Sequence, residues 1–148
     1  MFEINYDLSK DEAEMIEIDE APIRTRHFFG SLTLKNERSC IFIDQQAVPV
    51  VDSAFNILRI CTILSRKKNG TQDVEFASSG KKLTFQKDRG RVKIIPSFSA
   101  VTLEVPADDF KEGAKHFFQN IVVDVMKKNQ SLKMNAVFFG YLREVEKM

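Results

Sequence analysis

Three glycines at ten-residue intervals, Gly70, Gly80 and Gly90, constrain this chain more than any other feature of its sequence. The segments between them alternate apolar and polar residues, which is typical of strands with one buried and one solvated face. Strands of about six residues joined by tight turns account for the spacing. The pattern predicts an antiparallel meander that buries Val74, Phe76, Leu83, Phe85, Val92, Ile94, Val101, Leu103 and Val105.

The first 43 residues predict three further strands. Residues 1–7 place alternate apolar side chains on one face, as a short strand does. Residues 23–35 repeat this alternation, the polar run 36–39 marks a turn, and the apolar run 40–43 completes a hairpin. Residues 8–22 are acidic and end in Ala-Pro, so we expect a solvated loop or a short helical turn there.

Apolar residues at helical spacing predict a first long helix after this hairpin. It should begin near Pro49, because proline is tolerated at the first helical position. Phe55, Leu58 and Cys61 lie on its apolar stripe, which is wide enough to indicate a mostly buried helix. Gly70 is expected to cap its carboxyl end.

A second long helix is predicted after Pro106 and should stop near Asn129. Asp108 and Asp109 lie in its first turn, where carboxylates meet unpaired N–H groups and the positive end of the helix dipole. Its apolar stripe consists of Phe110, Ala114, Phe117, Phe118, Ile121 and Val125.

Together these elements predict the α+β class, in which helices cover a curved antiparallel β-sheet of about six to seven strands. Two long helices and a C-terminal helix are expected on one face of the sheet. Residues 131–148 have the spacing of that third helix, although Gly140 disfavours it and a strand stays open. A chain of 148 residues has the size of one domain, so we predict a single domain over residues 1–148.

Charge is distributed unevenly although the formal net charge is only +1. Residues 1–20 contain eight acids and one base, a net charge of −7. An acidic patch of this kind accelerates encounter with a basic protein. The candidate partner-binding residues are Asp11, Glu12, Glu14, Glu17, Asp19 and Glu20.

The opposite imbalance lies in the meander, where residues 66–93 contain nine bases and three acids. Such a stretch can contact phosphates. Lysines on strand edges also guard against aggregation, so a plain solvated surface stays open. The candidate anion-binding residues are Lys81, Lys82, Lys87, Arg89, Arg91 and Lys93.

The sequence offers little catalytic or metal-binding chemistry. The glycines are too far apart for a phosphate-binding loop, and no G-x-S-x-G motif is present. Cys40 and Cys61 both lie in apolar runs, which predicts two reduced thiols in the core. His27 could line a pocket, and His116, next to Phe117, is most simply a partly buried or boundary residue. A structural role is the simpler interpretation of both. We therefore expect no catalytic residues, no cofactor and no metal.

The amino-terminal residues have neither a basic region nor an apolar region of the kind found in secretory signals. Reduced cysteines agree with a reducing compartment. We expect a cytoplasmic protein without a membrane association, because no stretch approaches the roughly 20 apolar residues that a membrane span needs.

The layout of the chain resembles that of small single-domain bacterial proteins that neutralise polymorphic or contact-dependent toxins. The likeness rests on residues 28–35, on residues 48–55 entering a buried helix, on the meander, and on the helix from Asp108. It implies a cytoplasmic protein that works by binding another protein, and it carries over no functional residue.

Three functions follow from these observations. The first is a non-enzymatic, immunity-type inhibitor that binds a bacterial toxin or nuclease through its acidic segment. The alternative is a module that binds nucleic acid or another anionic ligand through the basic meander. A further alternative is a small enzyme with a pocket between sheet and helices, built around His27 or His116. The oligomeric state stays open.

Overall fold

The computed structural model describes residues 1–8, 29–76, 80–128 and 143. In these residues three strands precede a long helix, and four further strands precede a second long helix. The described strands are β1 (Glu3–Leu8), β2 (Phe29–Lys35), β3 (Cys40–Pro49), β4 (Gly70–Phe76), β5 (Lys81–Asp88), β6 (Arg91–Pro96) and β7 (Leu103–Pro106). The described helices are α1 (Val50–Ser65) and α2 (Ala107–Lys128). The α+β class predicted from the sequence is confirmed.

The first sheet has the strand order β1-β2-β3, and both pairs are antiparallel. Its inner face buries alternate residues of each strand, including Ile4, Leu32 and Ile43. The turn between β2 and β3 forms because the side-chain oxygen of Asn36 accepts hydrogen bonds from the backbone N–H groups of Arg38 and Ser39. The register between β2 and β3 shifts between Gly30 and Leu32 of β2, because these residues pair with Val48 and Ile43, which are five positions apart in β3.

The second sheet is the predicted meander, with the order β4-β5-β6-β7 and antiparallel pairs throughout. The predicted apolar face is buried in all four strands. Arg89 and Gly90 form the two-residue turn between β5 and β6, with φ angles of 54° and 75°. Positive φ at both central residues is the geometry of a type I′ turn, whose twist suits a hairpin.

The helices join the two sheets into one hydrophobic cluster. Helix α1 packs along α2 and contacts β2, β3 and β4, whereas α2 contacts β1, β6 and β7. The Phe110 ring of α2 lies 5.8 Å from the Phe2 ring before β1 and 5.5 Å from the Phe85 ring of β5. Phe55 of α1 meets Phe118 of α2 at 6.5 Å. One layer of helices therefore shares its apolar side chains with both sheets.

The prediction of a single curved sheet is wrong, because the strands form two sheets, of three and four strands. β3 ends at Pro49, and the 16 residues of α1 separate it from β4. Each described strand pairs only with strands next to it in sequence. β3 and β4, which α1 separates, are not hydrogen-bonded to each other.

Two smaller predictions also need correction. Gly70 does not cap α1; it is the first residue of β4 and its φ is not positive. At the end of α1, the backbone N–H groups of Arg66 and Lys67 instead donate hydrogen bonds to the carbonyl oxygens of Ile63 and Leu64, three residues earlier.

Val101, which was predicted to be buried, precedes β7 and is exposed. The predicted C-terminal helix and the acidic loop at residues 8–22 lie outside the described residues, except for positions 8 and 143.

Candidate functional site

The six predicted anion-binding residues do not form one basic surface. Pairing in the second sheet places Lys82, Arg91 and Lys93 on its outer, solvated face. The same face carries four carboxylates, at Asp73, Glu75, Asp88 and Glu104. Lys82 lies opposite Glu75, Lys93 lies opposite Glu104, and the Arg91 Nε donates to Glu104 Oε1 at 2.8 Å. The outer face of the meander therefore alternates bases with acids.

The other three bases point elsewhere. Lys87 is half-buried on the inner side, where its Nζ donates to the backbone oxygen of Leu64 at 3.0 Å. The Leu64 carbonyl, which also accepts from the backbone N–H of Lys67, lies at the carboxyl end of α1, where a cation meets the negative end of the helix dipole. Lys81 places its Nζ 5.1 Å from the centre of the Phe98 ring. Arg89 lies at the tip of the hairpin.

The six acidic candidate residues, Asp11 to Glu20, lie outside the described residues. The positions at which their segment is attached are described, however. β1 ends at Leu8, which is paired with Gly30 at the start of β2. Leu8 and Phe29, the described residues that flank positions 9–28, therefore lie at the same end of the first sheet.

A mixed apolar and polar surface covers the outer side of that sheet. Strand pairing places Glu3, Lys35 and Cys40 in one row, and Asn5, Thr33 and Phe42 in the next. Asp7 and Ser31 form the row nearest to the acidic segment. The Phe42 side chain is 54% exposed and is the large apolar group of this surface. We call these eight residues the outer face of the first sheet.

Only one of the two cysteines is a core thiol. Cys61 is buried in α1, and burial raises the pKa of its thiol to about 11, although Lys111 and Lys87 act in the opposite direction. The thiol is therefore protonated at neutral pH, which makes it a poor nucleophile. Cys40 is exposed, contrary to the prediction, because β3 alternates and its buried positions are taken by Ile41 and Ile43.

Of the two histidines, only His116 is among the described residues. His116 is exposed on α2, with its Nε2 3.9 Å from Glu112 Oε2, and so is not the partly buried residue that the sequence suggested. His27 lies outside the described residues. A half-buried tyrosine, Tyr6, donates from its hydroxyl to Asp124 Oδ2 at 2.6 Å. Burial, then this hydrogen bond, raises the pKa of Tyr6, so the hydroxyl keeps its proton at neutral pH and the hydrogen bond ties β1 to α2.

Two of the cavities lined by described residues lie at the edges of the helix layer. The larger, of about 730 Å³, is an open groove between the β2–β3 turn and β7. There the Met1 amine donates to Glu37 Oε1 at 2.6 Å and to Asp109 Oδ2 at 3.1 Å. These hydrogen bonds raise the pKa of the amine, and the bond from the amine lowers the pKa of Glu37. Ion pairs between the Met1 amine and the carboxylates of Glu37 and Asp109 therefore span the groove.

The smaller cavity, of about 240 Å³, lies where α1 ends and α2 begins. Lys87 and Lys111 both line it, together with Leu64, Ser65, Asp108 and Phe110. We call it the basic cavity. The sequence alone does not reveal this cavity, because Lys87 and Lys111 are on different elements. The outward direction of Phe42 was missed because it lies in a continuous apolar run.

Comparisons with protein-family models, with curated proteins and with solved structures found no match. Among the described residues, no three histidine, cysteine or acidic side chains are grouped closely enough to hold a metal ion. Neither α1 nor α2 is long and apolar enough to cross a membrane. Among the described residues, the outer face of the first sheet exposes an aromatic ring and the basic cavity groups two lysines.

Proposed function

We propose that the protein is a non-enzymatic binding protein that inhibits a toxin or nuclease in the manner of an immunity protein. The observation that carries the proposal is the exposed Phe42 ring in the outer face of the first sheet. Aromatic residues are enriched at the centres of protein interfaces, where a polar rim surrounds them. Phe42 has such neighbours, with Thr33 opposite it and Asn5 beyond in the same row.

Charge indicates the chemistry of the partner. Asp7 is exposed at one end of the outer face, and the acidic segment begins directly after β1. Residues 9–20 contain six acids and one base, a net charge of −5. A nuclease is commonly basic because it must bind phosphates. Acidic residues attached at this end of the outer face would attract such a protein and repel acidic ones.

The test is binding to, and protection against, the protein encoded beside this one. The two chains are co-expressed, their dissociation constant is measured, and growth is compared with and without the candidate inhibitor. We expect Phe42→Ala to weaken binding at least about tenfold, as loss of an interface anchor of about 1.4 kcal/mol does. Val123→Ala is the matched control, because Val123 is 45% exposed on α2.

Neutralising the six acidic candidates to Asn or Gln tests the charge argument separately. We expect slower association and a weaker dependence on salt, with a smaller effect on dissociation. The proposal is overturned if the neighbouring protein neither binds nor is neutralised. It is also overturned if Phe42→Ala and Val123→Ala bind equally well.

A further inference from the structure

The basic cavity brings two ammonium groups together from separate parts of the fold. Lys87 comes from β5 and Lys111 from the first turns of α2. Both positive charges act to lower the pKa of the Cys61 thiol, as nearby cations do. Cys61 also lines the cavity. The two lysines therefore line one partly open cavity.

A hydrogen bond holds the Lys87 side chain in position but uses only one of the three donors of its ammonium group. One of its N–H groups donates to Leu64 at the end of α1. An ammonium has three donors, so two are left to face the cavity. Because the side chain is half-buried and anchored, little further ordering is needed when it binds a ligand.

Lys111 makes no hydrogen bond or ion pair with any described residue. It is exposed at the rim, where it can turn toward a ligand. Asp108 is the one carboxylate in the lining, so the charged side chains of the cavity sum to +1. The amino end of the 22-residue helix α2 adds a further partial positive charge, although its first N–H, that of Ala107, already donates to Gly90 at 2.8 Å.

We propose that the basic cavity binds a small oxyanion of the phosphate class, held between the ammonium groups of Lys87 and Lys111. Its volume of about 240 Å³ is below the roughly 300 to 1,000 Å³ of pockets that take larger organic ligands. Ser65 lies in the lining and donates its hydroxyl proton to the Thr62 carbonyl, so its oxygen is an acceptor for a protonated phosphate. This site is independent of the outer face of the first sheet.

The test is calorimetric titration of the full chain with inorganic phosphate, with chloride at the same ionic strength as the reference. We expect saturable binding by the wild-type protein and at least about tenfold weaker binding by Lys111→Gln. Lys115→Gln is the matched control, because it removes the same charge one turn along α2 and outside the cavity lining. Phe42→Ala should bind phosphate as the wild type does, which separates this site from the proposed interface.

A second titration, with phosphoserine, identifies the source of the phosphate group. Binding of both ligands supports a site for phosphate esters, and binding of inorganic phosphate alone supports a site for the free anion. The inference is overturned if phosphate binds no better than chloride, or if Lys111→Gln and Lys115→Gln bind it equally. Thermal melts of both variants in chloride confirm that each is folded.

Discussion

Replacement of Phe110 by alanine tests whether one ring of α2 couples the two sheets into a single cooperative unit. The side chain is 2% exposed and contacts Phe2 beside the first sheet and Phe85 in the second. Burial of about 150 Å² of aromatic surface at about 25 cal/mol/Å² contributes about 4 kcal/mol. Phe→Ala substitutions in cores cost about 3 to 5 kcal/mol, which agrees with this figure.

A loss of about 4 kcal/mol is a large part of the roughly 5 to 15 kcal/mol that stabilises a domain. Urea denaturation followed by circular dichroism measures this loss. The urea concentration at the midpoint should fall, while the slope of the free energy of unfolding against urea concentration should be unchanged. Val123→Ala on the same helix is the control and should change the free energy of unfolding by no more than about 0.5 kcal/mol.

Two results would refute this reasoning. One is a loss below about 1 kcal/mol for Phe110→Ala, which would mean that the ring does not fill the space between the sheets. The other is a wild-type transition that separates into two steps, which would mean that the sheets unfold independently.

Two further predictions concern Cys61 and the hairpin turn. Burial raises the pKa of Cys61 from 9.0 to about 11, so between these values the unfolded chain has lost a proton that the folded protein keeps, and stability falls as pH rises. We expect the free energy of unfolding of the wild type to fall by about 1 kcal/mol more than that of Cys61→Ala between pH 8 and pH 10, from the relation of about 1.4 kcal/mol per pKa unit. Equal slopes for the two proteins in urea melts at each pH would contradict it. Arg89 has a φ of 54°, where the Cβ of an L-residue crowds the following carbonyl oxygen at a cost of about 1 to 2 kcal/mol. Asn tolerates this conformation because its short polar side chain hydrogen-bonds locally, and Asn-Gly is the preferred type I′ pair. Arg89→Asn should therefore raise the free energy of unfolding by about 0.5 to 1 kcal/mol in thermal melts, whereas the control Lys82→Ala should leave it unchanged. An Arg89→Asn protein less stable than the wild type would contradict this prediction and show that Arg89 makes a compensating contact.

The local elements followed from the sequence because each has a pattern of its own. Val92 and Ile94 alternate with Arg91 and Lys93, which is enough to specify a strand with one wet face. Gly90 specified the turn, and the aspartates after Pro106 specified the start of α2. Such signals depend on residues a few positions apart.

The direction of side chains in β3 did not follow from the sequence. Cys40 to Ile43 are all apolar, so nothing in the run shows which face is buried. Only the pairing with β2 puts Ile41 and Ile43 inside and leaves Phe42 in solvent. The candidate interface could therefore be located only in the folded protein.

The basic run shows the same division between sequence and structure. Its net charge is a property of the sequence, but strand alternation sends Lys81 and Lys82 to opposite sides, and the sheet brings acids from β4 and β7 between the bases. Lys87 meets Leu64, 23 residues earlier, and shares a cavity with Lys111, 24 residues later. The sequence by itself determined the elements and their charges, because periodicity and turn chemistry act over a few residues. The division into two sheets and the grouping of side chains into sites were decided only by tertiary packing, because they depend on which distant segments meet.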